Sequence, residues 1–223
     1  MATLNDVVDF AKFYKGKEEP PVFCREVFDV RGKLFVPFDD YKTIKNLKVN
    51  PKNDVILHYF VNDSRQNILF HDVGAHREAH SKVYATTSPD FSVDSSQCFS
   101  CLNIGNILKA RILAFLWQNY YEERVILNLV WGGRDTYPMA FTNVQKGTIV
   151  AVSSQGVKDS DVFINGLKTA IDWIAPEKIC WYGRVIGNIN EFYDADRIIP
   201  MQTRKTIVSQ KKYGDPRQLQ FNF

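Results

Sequence analysis

The segment Val125-Ile-Leu-Asn-Leu-Val-Trp-Gly-Gly-Arg-Asp-Thr-Tyr137 is apolar at its start and polar at its end. The nearly continuous apolar run predicts a β-strand that is buried on both faces of a sheet. Two glycines and the charged pair Arg134 and Asp135 then follow Trp131. Parallel sheets bind ligands at the carboxyl ends of their strands. The segment therefore predicts a buried strand with a ligand site at its end.

Short apolar runs elsewhere in the chain predict six further strands. These strands are Lys33–Pro37, Asp54–Val61, Val83–Thr87, Thr148–Val152, Ile179–Tyr182 and Arg197–Pro200. Helical patterns are predicted at Leu4–Tyr14, Asp39–Leu47, about 102–120 and about 160–174. Strands that alternate with helices at intervals of roughly 25–30 residues indicate βαβ units. We therefore expect an α/β fold with a mainly parallel sheet of six or seven strands, either doubly wound or an incomplete barrel.

Composition favours one domain, residues 1–200, followed by a basic polar tail, residues 201–223. The apolar content of 45% and the 16 phenylalanines are sufficient for a large core. No apolar run approaches the ~20 residues of a membrane helix, and no secretory signal is visible. Four cysteines do not form a disulfide framework in a chain of this length. We therefore predict a soluble, cytoplasmic protein with reduced thiols.

Polar and aromatic residues cluster where the predicted strands end. The candidate ligand-binding residues are Ser88, Trp131, Arg134, Ser154, Gln155, Tyr182 and Arg184. Arg134 offers a planar donor fork for a phosphate or carboxylate. Asp90 and Asp135 are the candidate catalytic residues, because either could bind a divalent metal or act as a base. Trp131 or Tyr182 could stack on a base or a sugar. Alternatively, Ser88-Pro-Asp90 is a turn, Arg134 pairs with Asp135 at the surface, and Trp131 belongs to the core.

Two residue pairs have the internal spacing of zinc ligands: His76 with His80, and Cys98 with Cys101. Together they could form a tetrahedral zinc site. Their order is the reverse of the usual finger, and a predicted strand lies between them. The alternative is that the histidines share a solvated helix face and the cysteines pack at the start of a helix.

Motifs of several common enzyme classes are absent from the sequence. The chain has no Gly-x4-Gly-Lys-Ser/Thr phosphate loop, no Gly-x-Gly-x2-Gly after a strand, and no Gly-x-Ser-x-Gly or His-Glu-x2-His motif. This argues against P-loop ATPases, common dehydrogenases, serine hydrolases and zincin proteases. The net charge of +3 and the pI near 8.6 permit an anionic partner without demanding one.

The chain ends in Gln218-Leu-Gln-Phe-Asn-Phe223, which follows a basic linker. This ending resembles the short peptide by which bacterial replication and repair proteins dock on the sliding clamp. In that mode, apolar anchors such as Leu219, Phe221 and Phe223 fill a pocket while Gln218 makes polar contacts. The alternatives are that the two phenylalanines fold back onto the domain or that the tail is frayed.

Three segments carry a family resemblance: Ser88-Pro-Asp-Phe-Ser92, Asn128-Leu-Val-Trp-Gly132 and Thr148-Ile-Val-Ala-Val152. The ending Ile179-Cys-Trp-Tyr-Gly183 completes the set. Together they resemble the domain of unknown function 4417 family of bacterial phages, plasmids and other mobile elements, over about residues 54–183. The resemblance implies a mobile-element setting. It also favours a nucleic acid, a nucleotide or the replication machinery as partner.

Three functional hypotheses follow from the sequence. The first is a phage or mobile-element protein that binds nucleic acid or a nucleotide at the strand ends, with a possible link to replication through the C-terminal peptide. The second is a hydrolase or transferase that acts on a phosphate-containing substrate with a divalent metal. The third is a protein without catalytic activity that sequesters a host signal or a host protein. The sequence leaves the oligomeric state open.

Overall fold

The structure is a computed structural model, and it describes residues 19–46, 49–94 and 100–202. Its seven strands confirm the predicted α/β fold with a parallel sheet. The strands are β1 (Leu34–Pro37), β2 (Val55–His58), β3 (Ala85–Thr87), β4 (Val125–Asn128), β5 (Ile149–Ser153), β6 (Lys178–Tyr182) and β7 (Ile198–Met201). Each strand lies at a predicted apolar run, although several are shorter than the run itself.

The strands follow one another across the sheet in chain order, and every neighbouring pair is parallel. A doubly wound sheet reverses its strand order near the middle, and this sheet does not. It curls instead into a nearly closed barrel. The two edges approach each other, since the Phe35 backbone N–H donates to the Gln202 side chain at 3.1 Å. Arg31 likewise donates to the backbone carbonyl of Asp196 at 2.8 Å. The incomplete barrel is therefore the correct alternative.

Helices connect the strands and cover the outer face of the barrel. They are α1 (Pro51–Asp54), α2 (Arg77–His80), α3 (Ser100–Asn119), α4 (Tyr137–Phe141) and α5 (Ser160–Ile174). Short 3₁₀ helices occupy Phe38–Asn46, Asp63–Arg65, Asn67–Phe70, Arg134–Thr136, Ile189–Glu191 and Ala195–Arg197. The predicted helix at 39–47 is thus a 3₁₀ helix, and the one predicted at Leu4–Tyr14 lies outside the described residues. Among the helices described, none has the length and apolar character needed to cross a membrane.

Two apolar layers explain why the strands read as continuous apolar runs. Side chains alternate along a strand, so Val150 and Val152 of β5 join the layer beneath the helices, and Ile149 and Ala151 point to the other face. That inner face carries buried residues from all seven strands and from neighbouring loops. Phe35 lies in this inner layer on the first strand. The barrel interior is therefore a packed core, and polar residues inside it are exceptional.

Candidate functional site

A pocket of about 740 Å³ lies at the carboxyl ends of β3, β4 and β5, against the first turns of α3. Among the residues that the structure describes, its charged lining consists of four aspartates and two lysines: Asp63, Asp90, Asp94, Asp159, Lys109 and Lys158. The sequence predicted a site at this edge of the sheet. The volume falls within the range of roughly 300–1,000 Å³ that is typical of small-molecule sites.

The side-chain amide of Gln66 holds the main chain of Asp90 in place. The Asp90 N–H donates to Gln66 Oε1 at 3.1 Å, and Gln66 Nε2 donates to the Asp90 carbonyl at 2.9 Å. Gln66 is itself fully buried. These two bonds replace a neighbouring strand at a point where the sheet has ended. Asp90 is therefore a rigidly placed residue of the pocket wall.

Asp63 lies near Asp90 and is held by Ser92. The Ser92 N–H and hydroxyl donate to the Asp63 carboxylate at 3.1 Å and 3.0 Å. Burial and, to a smaller extent, the negative charge of Asp63 raise the pKa of the Asp90 carboxyl to about 7. Asp90 can therefore accept or release a proton near neutral pH, which an ordinary aspartate cannot do.

Two asparagines of α3 shape the opposite wall. Asn103 accepts from the Asp94 N–H at 3.1 Å and donates to the Asp94 carbonyl at 2.8 Å. Asn106 donates to the Ser92 carbonyl at 2.8 Å. The Asp94 carboxylate lies 3.3 Å from the Lys158 ammonium group, across the pocket from α3. The loop after β3 is thus attached to a helix on one side and to the loop after β5 on the other.

Among the predicted ligand-binding residues, Trp131 and Gln155 line the pocket together with Asp90. The Trp131 ring stacks on Phe163 with centroids 5.1 Å apart. A Cβ atom at Gly166 would lie 2.0 Å from Trp131 Nε1, so the glycine is needed to make room for the indole. Trp131 is therefore a half-buried wall residue with much of its surface already in contact with protein.

The remaining predicted residues lie elsewhere. Arg134 and Asp135 are exposed on the 3₁₀ helix that follows β4, outside the pocket lining. Ser88 is buried, and its hydroxyl accepts from the Asn128 N–H at 2.8 Å. The Ser154 hydroxyl contacts the Arg184 carbonyl at 2.5 Å, while the Arg184 residue is exposed. The two hydroxyl groups therefore support the loops at the strand ends.

Tyr182, also predicted to bind ligand, points into the barrel at the end of β6. Its ring stacks on Phe60 with centroids 5.1 Å apart and lies 4.8 Å from the ring of His58. His58 and Asn128 are buried polar residues at this mouth of the barrel that the sequence interpretation missed. His58 is the one histidine inside an otherwise aliphatic and aromatic run, Val55–Val61, and this was the signal available. Asn128 interrupts the apolar run of β4 in the same way.

The two predicted zinc-binding histidines belong to a buried hydrogen-bonded network. The Tyr59 hydroxyl lies 2.7 Å from His76 Nδ1 and 2.7 Å from His80 Nε2. His80 Nδ1 lies 2.7 Å from the Glu123 carboxylate. One proton arrangement satisfies every contact: His80 donates to Glu123, Tyr59 donates to His80, and His76 donates to Tyr59. Burial and the neighbouring His80 lower the pKa of His76 to about 4, so it is neutral at pH 7.

Cys98, a further predicted zinc ligand, lies outside the described residues, and Cys101 is exposed on α3 at the pocket. Within residues 19–46, 49–94 and 100–202, no three His, Cys, Asp or Glu side chains are grouped closely enough to hold a metal ion. The zinc site stays a prediction. The C-terminal peptide Gln218–Phe223 also lies outside the described part of the chain.

Comparison with known proteins identifies the family. Residues 24–201 match the model of the domain of unknown function DUF4417, so the chain belongs to that family and the predicted resemblance is confirmed. The Gene 1 protein of Mycobacterium phage L5 is 27% identical over 72% of this chain and 72% of its own length. The Gene 1 protein of Mycobacterium phage D29 is 28% identical over 74% of this chain and 63% of its own. No solved structure gives a significant match.

Proposed function

We propose that this member of the phage-associated family binds a nucleotide together with a divalent cation in the pocket at the ends of β3, β4 and β5. The observation that carries the proposal is the pair Asp63 and Asp90, recessed in a pocket of about 740 Å³ that also contains Lys109 and Lys158. Family membership supports a phage setting but supplies no ligand.

The charges of the pocket indicate why a cation belongs with the nucleotide. Four aspartates against two lysines would repel a bare phosphate group. Mg²⁺ is commonly held by one or two carboxylates plus the phosphates of the substrate, rather than by a complete cage of protein ligands. Asp63 and Asp90 can supply those carboxylates, and Lys109 can neutralise a phosphate oxygen. Because the pKa of Asp90 is raised to about 7, cation binding would release a proton near neutral pH.

Calorimetric titration with ATP, GTP and their deoxy forms, with and without Mg²⁺, tests this proposal. We expect binding that requires Mg²⁺ and weakens about tenfold or more in Asp90→Asn. Asp135→Asn is the matched control, because Asp135 is exposed outside the pocket. An equal loss in both variants, or no Mg²⁺-dependent binding of any nucleotide, would refute the proposal.

A catalytic role is the second candidate, favoured by the proton affinity of Asp90. A carboxyl group with a pKa of about 7 can act as a general base or acid at neutral pH. The enzyme would then be a metal-dependent hydrolase or transferase acting on the phosphate groups of its ligand. Product analysis after a single turnover of bound nucleotide decides between the candidates. A nucleotide that is recovered intact would leave binding alone.

The ligand could also be a strand of nucleic acid in place of a mononucleotide. Arg134 is exposed beside the pocket wall that Trp131 forms, where it could contact a neighbouring phosphate of a strand. Single-stranded DNA should then bind with an affinity that falls steeply with salt, and Arg134→Ala should reduce that slope. Equal affinities of DNA and mononucleotide, unchanged in Arg134→Ala, would restrict the ligand to a nucleotide.

A link to replication through Gln218–Phe223 is a separate proposal with its own test. The purified chain should bind a bacterial sliding clamp, and Leu219→Ala with Phe221→Ala should abolish that binding. Nucleotide binding should be unchanged in this variant. Retained clamp binding would show that the peptide is not the anchor. Native mass spectrometry of protein taken directly from cells would reveal a sequestered host protein instead.

A further inference from the structure

His58 and Asn128 are polar residues on the inner face of the barrel, at the carboxyl ends of β2 and β4. Two residues earlier on the same strands, Ile56 and Ile126 belong to the inner apolar layer. His58 is fully buried and Asn128 is 3% exposed. Three buried polar atoms of these two residues have no hydrogen-bond partner within the described part of the chain. They are the two ring nitrogens of His58 and the Asn128 Oδ1 atom. Buried polar groups normally find partners, so these atoms point to an occupant that the protein itself does not supply.

The orientation of the Asn128 amide is fixed by its neighbours. Its Nδ2 group donates to the Ser88 carbonyl and, at 3.2 Å, to the Thr87 hydroxyl. Carbonyl oxygens only accept, so the amide cannot be turned over. The Thr87 hydroxyl in turn accepts from the Tyr59 N–H and donates to the Ser88 carbonyl. Asn128 Oδ1 is therefore left as a buried acceptor without a partner among the described residues.

Aromatic rings surround His58 and separate it from solvent. Its ring lies 4.8 Å from Tyr182 and 5.9 Å from Phe60, and those two rings stack on each other at 5.1 Å. Both covering residues retain a small exposed area, while His58 has none. Burial lowers the pKa of His58 to about 3, so at pH 7 it offers one N–H donor and one acceptor nitrogen.

This mouth borders the nucleotide pocket. Ser153 lines the pocket and pairs in register with Tyr182 across β5 and β6. A ligand in the pocket thus lies one strand away from the aromatic rings that cover His58. The His58 N–H needs an acceptor, while the other His58 ring nitrogen and Asn128 Oδ1 each need a donor. An occupant must therefore supply two donors and one acceptor. Amino groups beside ring nitrogens or carbonyl oxygens provide this combination on a flat ring that can pack between aromatic side chains.

We propose that the barrel mouth is the base-recognition subsite of the nucleotide site, where His58 and Asn128 read the edge of an amino-substituted heteroaromatic ring. The inference rests on the proposed nucleotide function. It assigns the phosphate groups and the cation to the pocket of Asp63 and Asp90, and the base to the barrel mouth. Entry of the base requires Phe60 and Tyr182 to separate.

Calorimetry with two kinds of probe separates the subsites. The first is inorganic pyrophosphate with Mg²⁺, and the second is adenosine, guanosine, cytidine or uridine without phosphate. In His58→Leu we expect at least one nucleoside that binds wild-type protein to bind about 10- to 100-fold more weakly, while pyrophosphate affinity is unchanged. His58→Gln, which keeps a donor and an acceptor, should recover part of the loss. Cys180→Ala, a change in the same inner layer, should have no effect.

Stability of the ligand-free protein provides a second measurement. His58→Leu should raise the midpoint of urea unfolding or leave it unchanged, because it removes an unpaired buried polar group. A lower midpoint with unchanged nucleoside affinity would show a purely structural role and overturn the inference. Nucleosides that fail to bind wild-type protein would also overturn it, and would indicate buried water at these atoms. Absence of both pyrophosphate and nucleotide binding would instead refute the proposed function of the pocket.

Discussion

His58 and Tyr59 are consecutive residues at the end of β2, and their side chains enter opposite layers of the molecule. Tyr59 lies in the outer layer, where its hydroxyl contacts His76 and His80. His58 lies in the inner layer beside Tyr182, and neither of its ring nitrogens has a partner among the described residues. Both residues are fully buried. One strand thus carries a polar group that is satisfied by the protein and, next to it, one that is not.

This difference distinguishes polar groups that stabilise the fold from polar groups that are available to a ligand. The outer network runs from Glu123 through His80 and Tyr59 to His76, and every donor in it meets an acceptor. Such a network holds its side chains in one arrangement. The barrel mouth has the opposite property, since His58 and Asn128 cost stability until something binds them. Four predictions test this contrast.

Lowering the pH should destabilise the folded protein chiefly through His58, the residue of the inner layer. The folded pKa of His58 is lowered to about 3 by burial, from the ordinary value of 6.5. Between these values the unfolded chain binds a proton that the folded chain excludes, so stability is complete above pH 6.5 and is lost as pH falls towards 3. By this linkage the loss is on the order of 4 kcal/mol. His58→Leu should lack it, as measured by urea unfolding at several pH values.

His76 provides the internal control for this prediction. Its pKa is also lowered, to about 4, chiefly by burial and then by His80, so it contributes a loss over a similar range in both proteins. The informative quantity is therefore the difference between wild-type protein and His58→Leu. Parallel curves for the two proteins would mean that His58 is hydrated or paired and would remove the contrast with Tyr59.

Breaking the outer network should have the next largest effect. His80→Leu removes the partner of the Glu123 carboxylate and of the Tyr59 hydroxyl in a single change. Leaving the partly buried Glu123 carboxylate and the buried Tyr59 hydroxyl without this partner should cost about 2–4 kcal/mol of unfolding free energy. His71→Ala, at an exposed position, should change the unfolding free energy by less than about 0.5 kcal/mol. A loss in His80→Leu no larger than in this control would show that the network is not structural.

The positions of the strands were predictable, but their neighbours across the sheet were not. Segments such as Ile149–Ser153 are buried on both faces, so their composition alone identifies them. Strand order depends on contacts between distant parts of the chain, and no local pattern distinguishes a sequential barrel from a doubly wound sheet. The 3₁₀ helix Phe38–Asn46 shows the same limit at a smaller scale, because its apolar spacing suits either kind of helix.

Parts of the site were predictable for the same reason. Asp90 lies shortly after the end of β3. The carboxyl ends of parallel strands share one edge of the sheet, and the pocket lies at that edge. Lys109 lies in the middle of α3 and reaches the pocket only through the packing of that helix, so no spacing in the sequence indicates it. The orientation of a strand-end residue is also not encoded locally. Arg134 and Asp90 both follow strands, yet the first is exposed and the second is recessed.

Removing only the Tyr59 hydroxyl should give a smaller loss of stability. This variant tests the contrast between Tyr59 and the preceding residue, His58. Tyr59→Phe leaves His76 Nδ1 and His80 Nε2 without their shared partner and keeps the packing of the ring. We expect a decrease of about 1–2 kcal/mol in unfolding free energy. His58→Leu at the adjacent position should give no decrease in ligand-free protein at pH 7. Losses of equal size at the two positions would refute the distinction between a satisfied and an unsatisfied polar group.

Asp90→Asn should have the smallest effect on the unfolding free energy, and it should increase stability. Asp90 resembles His58 more than Tyr59, because burial disfavours the charged form of both groups. Burial and the charge of Asp63 raise its pKa to about 7 from 3.8, so the folded protein retains a proton that the unfolded chain releases. Its contribution to stability is greatest below pH 3.8 and is lost as pH rises through 7. At pH 8 the asparagine variant should therefore be more stable than wild-type protein, while at pH 4 the two should be nearly equal. Because Asp90 is only partly buried and solvent screens its charge, we expect a gain of about 1 kcal/mol, less than the full pKa shift would give. A variant that is less stable at pH 8 would show that the Asp90 carboxylate has a structural partner, and that the pocket, like the outer network, is satisfied by the protein itself.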